Sequence, residues 1–321
     1  MRYSVAGKVV LITGPARGIG RETARRREAR GARLALVGLE PGRLAALASE
    51  LGEGHAWFEC DVTDQAATER AVAGTIEALG RLDVVVANAG VASHCTVAAG
   101  PVDALVRTIE VNLIGVVRTV SATLPHVAAA RGYYLLISSA AALAPMPVMS
   151  AYAAVKSGVE QFGNVLRLEL AHKGVAVGVA HPSWIDTDLV RDARDDMKSF
   201  NEMLASLPWP FGSVTSVEDC AAALVRAVER RKRKVYVPGT LAPISALRYL
   251  LASPLSEFIM GRNARRLLPQ AEREARALER SFGSHSVETT SKSVPPAAPG
   301  GSQAESYPPA TAGGTGKGVT P

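Results

Sequence analysis

Seven short, continuous apolar runs recur along this chain, each set off by a longer amphipathic stretch, and that alternation narrows the fold more than any other feature. The runs cover residues 8–13, 33–37, 56–60, 83–87, 134–138, 175–180 and 235–238. Helical stretches separate them over 19–30, 42–51, 65–79, 102–129, 150–173 and 217–229. Runs rich in Val, Ile and Leu without polar alternation suit strands that are covered on both faces. Strands alternating with helices in this way build a parallel, doubly wound α/β sheet. With 321 residues, 47% of them hydrophobic, the chain can bury one sizeable core.

The ends and the composition bound the rest. Residues 1–7 are short and polar, and the apolar run after them is only of strand length, so nothing near the start reads as a secretion signal. No run reaches the length of a spanning helix. The three cysteines, Cys60, Cys95 and Cys220, are far apart and lack metal-ligand spacing, so they read as reduced packing residues with no metal site. The expected location is the cytoplasm. The net charge of +6 is unevenly spread: residues 226–280 hold thirteen Lys/Arg against five Asp/Glu. Such a block could touch an anionic membrane or nucleic acid, but a solvated helix face is the expectation, and no nucleic-acid partner is expected.

The first strand–helix turn reads Thr13-Gly14-Pro15-Ala16-Arg17-Gly18-Ile19-Gly20. A glycine-rich turn there lets backbone amides approach a pyrophosphate at the positive end of a helix. Asp61-Val62 follows the third run, where a carboxylate and a backbone group could meet an adenine ring. Asn88-Ala89-Gly90 closes the fourth. Each could equally be a turn or strand terminator; together, at the C-terminal ends of successive strands, they trace the crevice where such sheets bind ligands. The expected domain is Rossmann-type, over residues 1–240.

Tyr152 and Lys156 lie four residues apart and share one helix face. A free phenol titrates near 10, and a neighbouring ammonium favours the phenolate, which suits acid/base work. Ser139, at the end of the fifth run, could hold a substrate oxygen near the Tyr152 hydroxyl. Taken alone, Tyr-x-x-x-Lys is an ordinary surface pair.

Thr13-Gly-x-x-x-Gly-x-Gly20, Asn88-Ala-Gly90, Asn112 in Val111-Asn-Leu113, Ser139 and Tyr152-x-x-x-Lys156 together resemble the short-chain dehydrogenase/reductase family in its classical, single-domain form, over residues 8–238. The resemblance implies an NAD- or NADP-dependent oxidoreductase interconverting alcohols and carbonyl compounds. It implies that Tyr152 is the acid/base, that Lys156 lowers its pKa and bonds the nicotinamide ribose, and that Ser139, thirteen residues before Tyr152, orients the reacting oxygen in preference to Ser138. Asn112 would sit mid-helix and hold a proton-relaying water. Gly14, Arg17, Gly18, Ile19, Gly20, Leu39, Asp61, Val62, Asn88, Ala89 and Gly90 would contact the dinucleotide. Pro182, Ile185 and Thr187 resemble the family segment that holds the carboxamide, with Ser183 in place of a glycine. His181 reads as structural. A catalytically silent nucleotide-binding regulator is the alternative, disfavoured because all four catalytic positions are intact.

Gly38 and Leu39 stand where NAD-preferring relatives place an Asp and NADP-preferring ones a basic residue. Arg17 resembles the residue some members use against a 2′-phosphate, whereas Glu40 would repel one, and the balance leans to NADP over NAD. Arg27 continues the buried stripe of Ile19, Thr23 and Ala24 in the first helix, so it should either snorkel outward or lower stability. Met197, Phe200, Met203, Leu204, Trp209 and Phe211 could line a pocket for a hydrophobic alcohol or carbonyl substrate, or could be packing for a lid. The resemblance implies a homodimer or homotetramer through the long helices over 102–129 and 150–173.

After Pro238 the family pattern thins. Leu247, Leu250, Leu251, Leu255, Phe258 and Ile259, then a charged helix over 263–280, could anchor at a membrane surface beside Arg230–Lys234. The expected reading of this extension, 241–282, is a helical cap packed on the domain. Residues 283–321, rich in Ser, Thr, Gly, Pro and Ala, read as a disordered tail.

Overall fold

The computed structural model describes residues 3–93, 95–207, 209–248, 253–278 and 280–286, without the side chains at 255–257 and 259. Leu250, Leu251, the side chains of Leu255 and Ile259, and the tail beyond 286 lie outside the described residues. The strands are β1 (Val9–Thr13), β2 (Arg33–Gly38), β3 (Ala56–Glu59), β4 (Val84–Ala87), β5 (Tyr133–Ile137), β6 (Ala176–Pro182), the two-residue β7 (Trp184–Ile185) and β8 (Val214–Thr215), and β9 (Lys234–Val237). Seven of them form one parallel sheet in the order β3-β2-β1-β4-β5-β6-β9, as the apolar runs predict. β1 pairs with β2 on one side and β4 on the other, so the strand order reverses there and a crevice opens beyond the strand ends.

The helices are α1 (Gly18–Glu28), α2 (Pro41–Leu51), α3 (Gln65–Leu79), α4 (Val102–Ile109), α5 (Gly115–Ala129), α6 (Ser150–Glu169), α7 (Asp188–Asp196), α8 (Lys198–Ser206), α9 (Val217–Glu229), α10 (Leu241–Ala246) and a C-terminal helix, Pro254–Ala277. They cover both sheet faces. Val10, Ile12, Leu34 and Leu36 meet α1, α2 and α9 on one side. Val9, Leu11, Ala35 and Val37 meet α3, α5 and α6 on the other, the two-residue period of a sheet buried on both faces. Each such side chain contributes roughly 1.5–3 kcal/mol when fully buried. The edge strand β3 departs from the unbroken pattern: Trp57 and Glu59 turn to solvent.

Local chemistry sets several helix starts. The Asp64 carboxylate accepts from the Ala67 amide at 3.1 Å and the Ser216 hydroxyl from the Asp219 amide at 3.1 Å, which caps α3 and α9. α1 has no side-chain cap and no acidic residue in its first turn, so its amides face the crevice free of a protein anion. The helix expected over 102–129 is two: a π-helical turn, Glu110–Ile114, joins α4 to α5. Residues 188–206 form two short helices, α7 and α8.

Arg27 does not snorkel. It is 0% exposed, and its Nη2 donates to the Leu224 and Val225 carbonyls of α9 at 3.3 and 3.1 Å. Nε and Nη1 find no partner among the described residues, and burial pushes the guanidinium down to about 10. A buried cation held only by carbonyls already used within a helix costs more than the contact returns. Arg27→Leu is therefore expected to stabilise the chain by about 2 kcal/mol and to raise Tm by roughly 4–8 °C in thermal melts; a lower Tm would show that the two carbonyl bonds outweigh the burial.

The buried Glu160, one turn beyond Lys156 on α6, gathers Lys234 Nζ at 3.1 Å, Arg248 Nη1 at 3.1 Å and His181 Nε2 at 3.5 Å. His181, expected as structural, is fully buried and stacks on Tyr236. Burial works to raise the Glu160 carboxyl, and the surrounding His181 and Lys234 overcome it, holding it at about 2. A carboxyl depressed on folding stabilises the folded state above its unfolded pKa and loses that stability as pH falls. Acid titration is thus expected to remove up to ~3 kcal/mol between about pH 4.5 and pH 2. Glu160→Gln should shed the Glu160 share of this loss, and an unchanged acid-unfolding curve in that variant would refute it.

The C-terminal extension packs back on the domain. Leu267 and Ala271 are buried, and Glu274 Oε2 accepts from the Ser199 amide at 3.0 Å and hydroxyl at 2.6 Å, locking the helix to α8. Among the described residues no helix is long and apolar enough to cross a membrane.

Candidate active site

The crevice beyond β1 and β4 is a cleft lined by Gly14, Arg17, Gly18, Ile19, Leu39, Asp61, Val62, Asn88, Ala89 and Gly90 on one half, and by Asn112, Ser139, Tyr152, Lys156, Pro182, Ile185 and Thr187 on the other. Of the residues predicted for the site, only Gly20 stands behind the wall.

The glycine turn is built for close backbone approach. Gly14 and Gly18 have φ of +64° and +53°, a region open to glycine at little cost. A Cβ on Gly20 would fall 2.5 Å from the Gly14 carbonyl oxygen and 2.7 Å from Asn88 Nδ2. Asn88 holds the turn in place: its Nδ2 donates to the Thr13 and Gly14 carbonyls at 3.0 and 3.1 Å, and the Asn88 and Ala89 amides donate to the Thr13 hydroxyl. An uncapped helix start behind a turn that is bare at Gly14 and Gly18 matches a pyrophosphate, so these residues fit a dinucleotide.

Two predicted cofactor residues are engaged by the protein itself. Asp61 accepts from the Thr63 amide and hydroxyl and from Arg107 Nη2 at 2.9 Å. Burial would raise its carboxyl, and the Thr63 bonds and the Arg107 guanidinium hold it below the usual range. Arg107, on α4 and nearly buried, was missed because its partner lies 46 residues away. Arg17 is paired with Glu40, and Arg43 reaches the same carboxylate at 3.2 Å. The two opposing charges weighed from the sequence thus neutralise each other at the mouth where a ribose would lie.

On α6, Lys156 Nζ lies 5.3 Å from the centre of the Tyr152 ring and donates to the Ile137 carbonyl at 3.1 Å. Ser138 and Ser139 both line the cleft, with different partners. The Ser138 hydroxyl donates to the Lys156 carbonyl at 2.7 Å and fixes the helix, while Ser139 lies at the cleft within hydrogen-bonding reach of the Tyr152 hydroxyl. The Ser139 hydroxyl also donates to the Pro182 carbonyl at 3.3 Å, a long bond.

The electrostatics differ from the sequence expectation. Burial pushes the Tyr152 phenol above its ordinary value, Ser139 pulls it back in part, and Lys156 does not reverse the direction. Burial also lowers Lys156, to about 8. Both groups are held where charge is costly, so each is poised to exchange a proton once a counter-charge is near.

Asn112 sits in the π-helical turn, where the break in hydrogen-bond register frees the side chain to face inward. Its Nδ2 donates to the Val91 and Thr108 carbonyls at 2.8 Å each. Its Oδ1 accepts from no described group. A Cβ on Gly90 would lie 2.7 Å from that oxygen and 3.6 Å from Lys156 Nζ, so the bare Gly90 backbone separates the two.

A second cavity of ≈ 630 Å³ adjoins the cleft across Leu189 and Val190. Met146, Met149, Trp184, Phe200 and Met203 line it, the C-terminal helix closes it with Met260, Leu267 and Ala271, and among the described residues no lining side chain is charged. Met197 and Phe211, for which pocket lining and lid packing were both open, also line it. Leu204 packs beneath it against Trp184 and Val190, and Trp209 turns away, 76% exposed. The C-terminal helix, expected as a cap on the domain, thus also supplies a wall of this cavity.

Residues 8–198 match the family model described as short chain dehydrogenase. The chain belongs to the short-chain dehydrogenase family. It is similar to the dehydrogenase/reductase SDR family member 7B of Bos taurus, 31% identical over 277 residues, 83% of this chain and 84% of that protein. It also resembles the (-)-trans-carveol dehydrogenase of Rhodococcus erythropolis, 32% identical over 75% of this chain and 97% of the other. A short chain dehydrogenase/reductase from Burkholderia phymatum, solved in complex with NAD, superposes with a TM-score of 0.67 at 22% identity, over 77% of this chain and 94% of that one, which shows the shared fold. This short-chain dehydrogenase is thus an NAD(P)-binding oxidoreductase by family.

Proposed function

We propose that the chain interconverts a hydrophobic alcohol and its ketone or aldehyde, with Tyr152 as the acid/base. The observation that carries this reading is the convergence of Ser139, Tyr152, Lys156 and Asn112 on one cleft that fits a dinucleotide and adjoins a cavity with no charged lining side chain among the described residues. A bound nicotinamide would supply or accept the hydride.

Every other part falls to the chain's own residues. The Ser139 hydroxyl donates to the substrate oxygen and sets its direction. The Tyr152 hydroxyl gives that oxygen a proton during reduction, or takes one during oxidation. Lys156 stands close enough to stabilise the phenolate left behind, and Asn112 Oδ1 is the acceptor that can hold a water between Lys156 and the interior of the helix bundle. Burial excludes bulk water and strengthens each of these interactions.

The cavity accounts for the substrate preference, since a charged group there would meet no counter-charge. The relative named as a carveol dehydrogenase is consistent with this class. A lean toward NADP rests on Arg17 and Arg43 at the mouth and on the absence of a carboxylate at Gly38, with Glu40 acting against it. A homodimer or homotetramer is favoured by exposed Val106, Ile109 and Val117 along α4 and α5 and by Val165 and Leu168 on α6.

The test is a screen of NADH and NADPH oxidation against uncharged lipophilic ketones and aldehydes, with direct titration of both dinucleotides. Turnover that needs Tyr152 supports the reading; dinucleotide binding without any turnover would make the chain a silent regulator instead.

A further inference from the structure

We propose that residues 280–286 form a clasp that holds the dinucleotide in its cleft, with His285 as its inner face and the buried Asp192 as its anchor. This rests on the dinucleotide reading of the cleft given above.

Beyond the C-terminal helix the chain turns back and bridges the two walls of the site. On one wall, Phe282 pairs with Ser93 in an antiparallel bridge and is buried with Val62, Val91, Ala104 and Val111. Three of those four, Val62, Val91 and Val111, line the dinucleotide cleft. On the other wall, Arg280 pairs with Asp196 of α7. Asp192, one turn earlier on α7 and only 4% exposed, accepts from the Ser284 hydroxyl at 2.9 Å, the His285 amide at 3.1 Å and His285 Nδ1 at 2.7 Å. Burial would raise the Asp192 carboxyl, and the bonds from His285 and Ser284 keep it below the usual range.

The fit is close at Gly283, where any Cβ would overlap the Asp192 carboxylate. A carboxylate buried in α7 and met by three donors from one short segment has no part in the proton chemistry of Tyr152. Its structural task is to fix that segment. His285 and Ser286 then complete the cleft lining beside Asp188 and Leu189.

A segment tied to both walls by one bridge, one ion pair and three hydrogen bonds must loosen for a dinucleotide to enter or leave. Ordering of the segment and occupancy of the cleft are therefore coupled, and the coupling appears in the release rate.

The experiment uses the full chain with NADH and NADPH as probes. Hydrogen exchange at the amides of residues 282–286 is followed with and without dinucleotide, and release is timed by stopped-flow fluorescence in wild type, His285→Ala and Gly283→Val. The expected result is slower exchange across 282–286 when dinucleotide is added, and release faster by about tenfold in both variants, each keeping a cooperative thermal transition. Exchange that ignores the dinucleotide, or release rates equal to wild type, would overturn the clasp. If wild type binds neither dinucleotide, the reading of the cleft itself fails and takes the clasp with it.

Discussion

Tyr152→Phe is expected to lower carbonyl turnover by about 10³-fold while leaving dinucleotide affinity nearly unchanged. The substitution removes one hydroxyl from a ring that keeps its place on α6, so the packing around Lys156 survives. What is lost is the only phenol beside Ser139 at the cleft among the described residues. The sign of the pH dependence follows from the direction of the Tyr152 shift. Burial favours the neutral phenol, so the proton donor for reduction is fully present across neutral pH. Oxidation needs the phenolate, so its rate climbs with pH toward the alkaline side. Steady-state rates in both directions check this, and equal turnover by wild type and variant would end the acid/base assignment.

Gly20→Ala is expected to weaken NADH and NADPH binding by about 100-fold, close to 2.7 kcal/mol. The added methyl meets the Gly14 carbonyl at 2.5 Å and the Pro15 Cα at 2.9 Å, both backbone atoms that can give way only if the turn moves. It also meets Asn88 Nδ2 at 2.7 Å, the group that ties the turn to β4. Displacing the turn misaligns the amides that face the pyrophosphate. Gly42→Ala is the matched control, because a Cβ there meets nothing within 4 Å. Calorimetric titration reads the affinity and a thermal melt confirms the fold. Unchanged affinity for Gly20→Ala in a folded protein would show that the turn does not touch the ligand.

The sheet and the cleft were readable because their signals are local. Runs such as Val84–Ala87 are apolar at every position, and Gly14, Asn88 and Gly90 sit just past strand ends that the pattern already locates, with Gly18 at the start of the helix that follows. The features that escaped depend on contacts distant in sequence or on backbone register. Nothing at Glu110–Ile114 marks a π-helical turn, since the same apolar spacing serves an unbroken helix. Helical periodicity put Arg27 on the inner face, but whether it snorkelled or stayed buried at a cost was open, because the α9 carbonyls that receive it lie 197 and 198 residues away. Ser284 and His285 read as tail because their composition is polar, while their partner Asp192 lies 92 and 93 residues upstream. Arg107 and the wall supplied by Leu267 escaped for the same reason.

The division of labour along the chain has one more consequence. Tyr152, Lys156 and the glycine turn lie far upstream, whereas the side of the apolar chamber formed by Met260, Leu267 and Ala271 arrives only with the final helix. One wall of the chamber can therefore be exchanged from the end of the polypeptide: a different terminal helix grafted onto this scaffold would reshape one side of the space open to a guest molecule, while Met146, Met149, Trp184 and Phe200 keep the other.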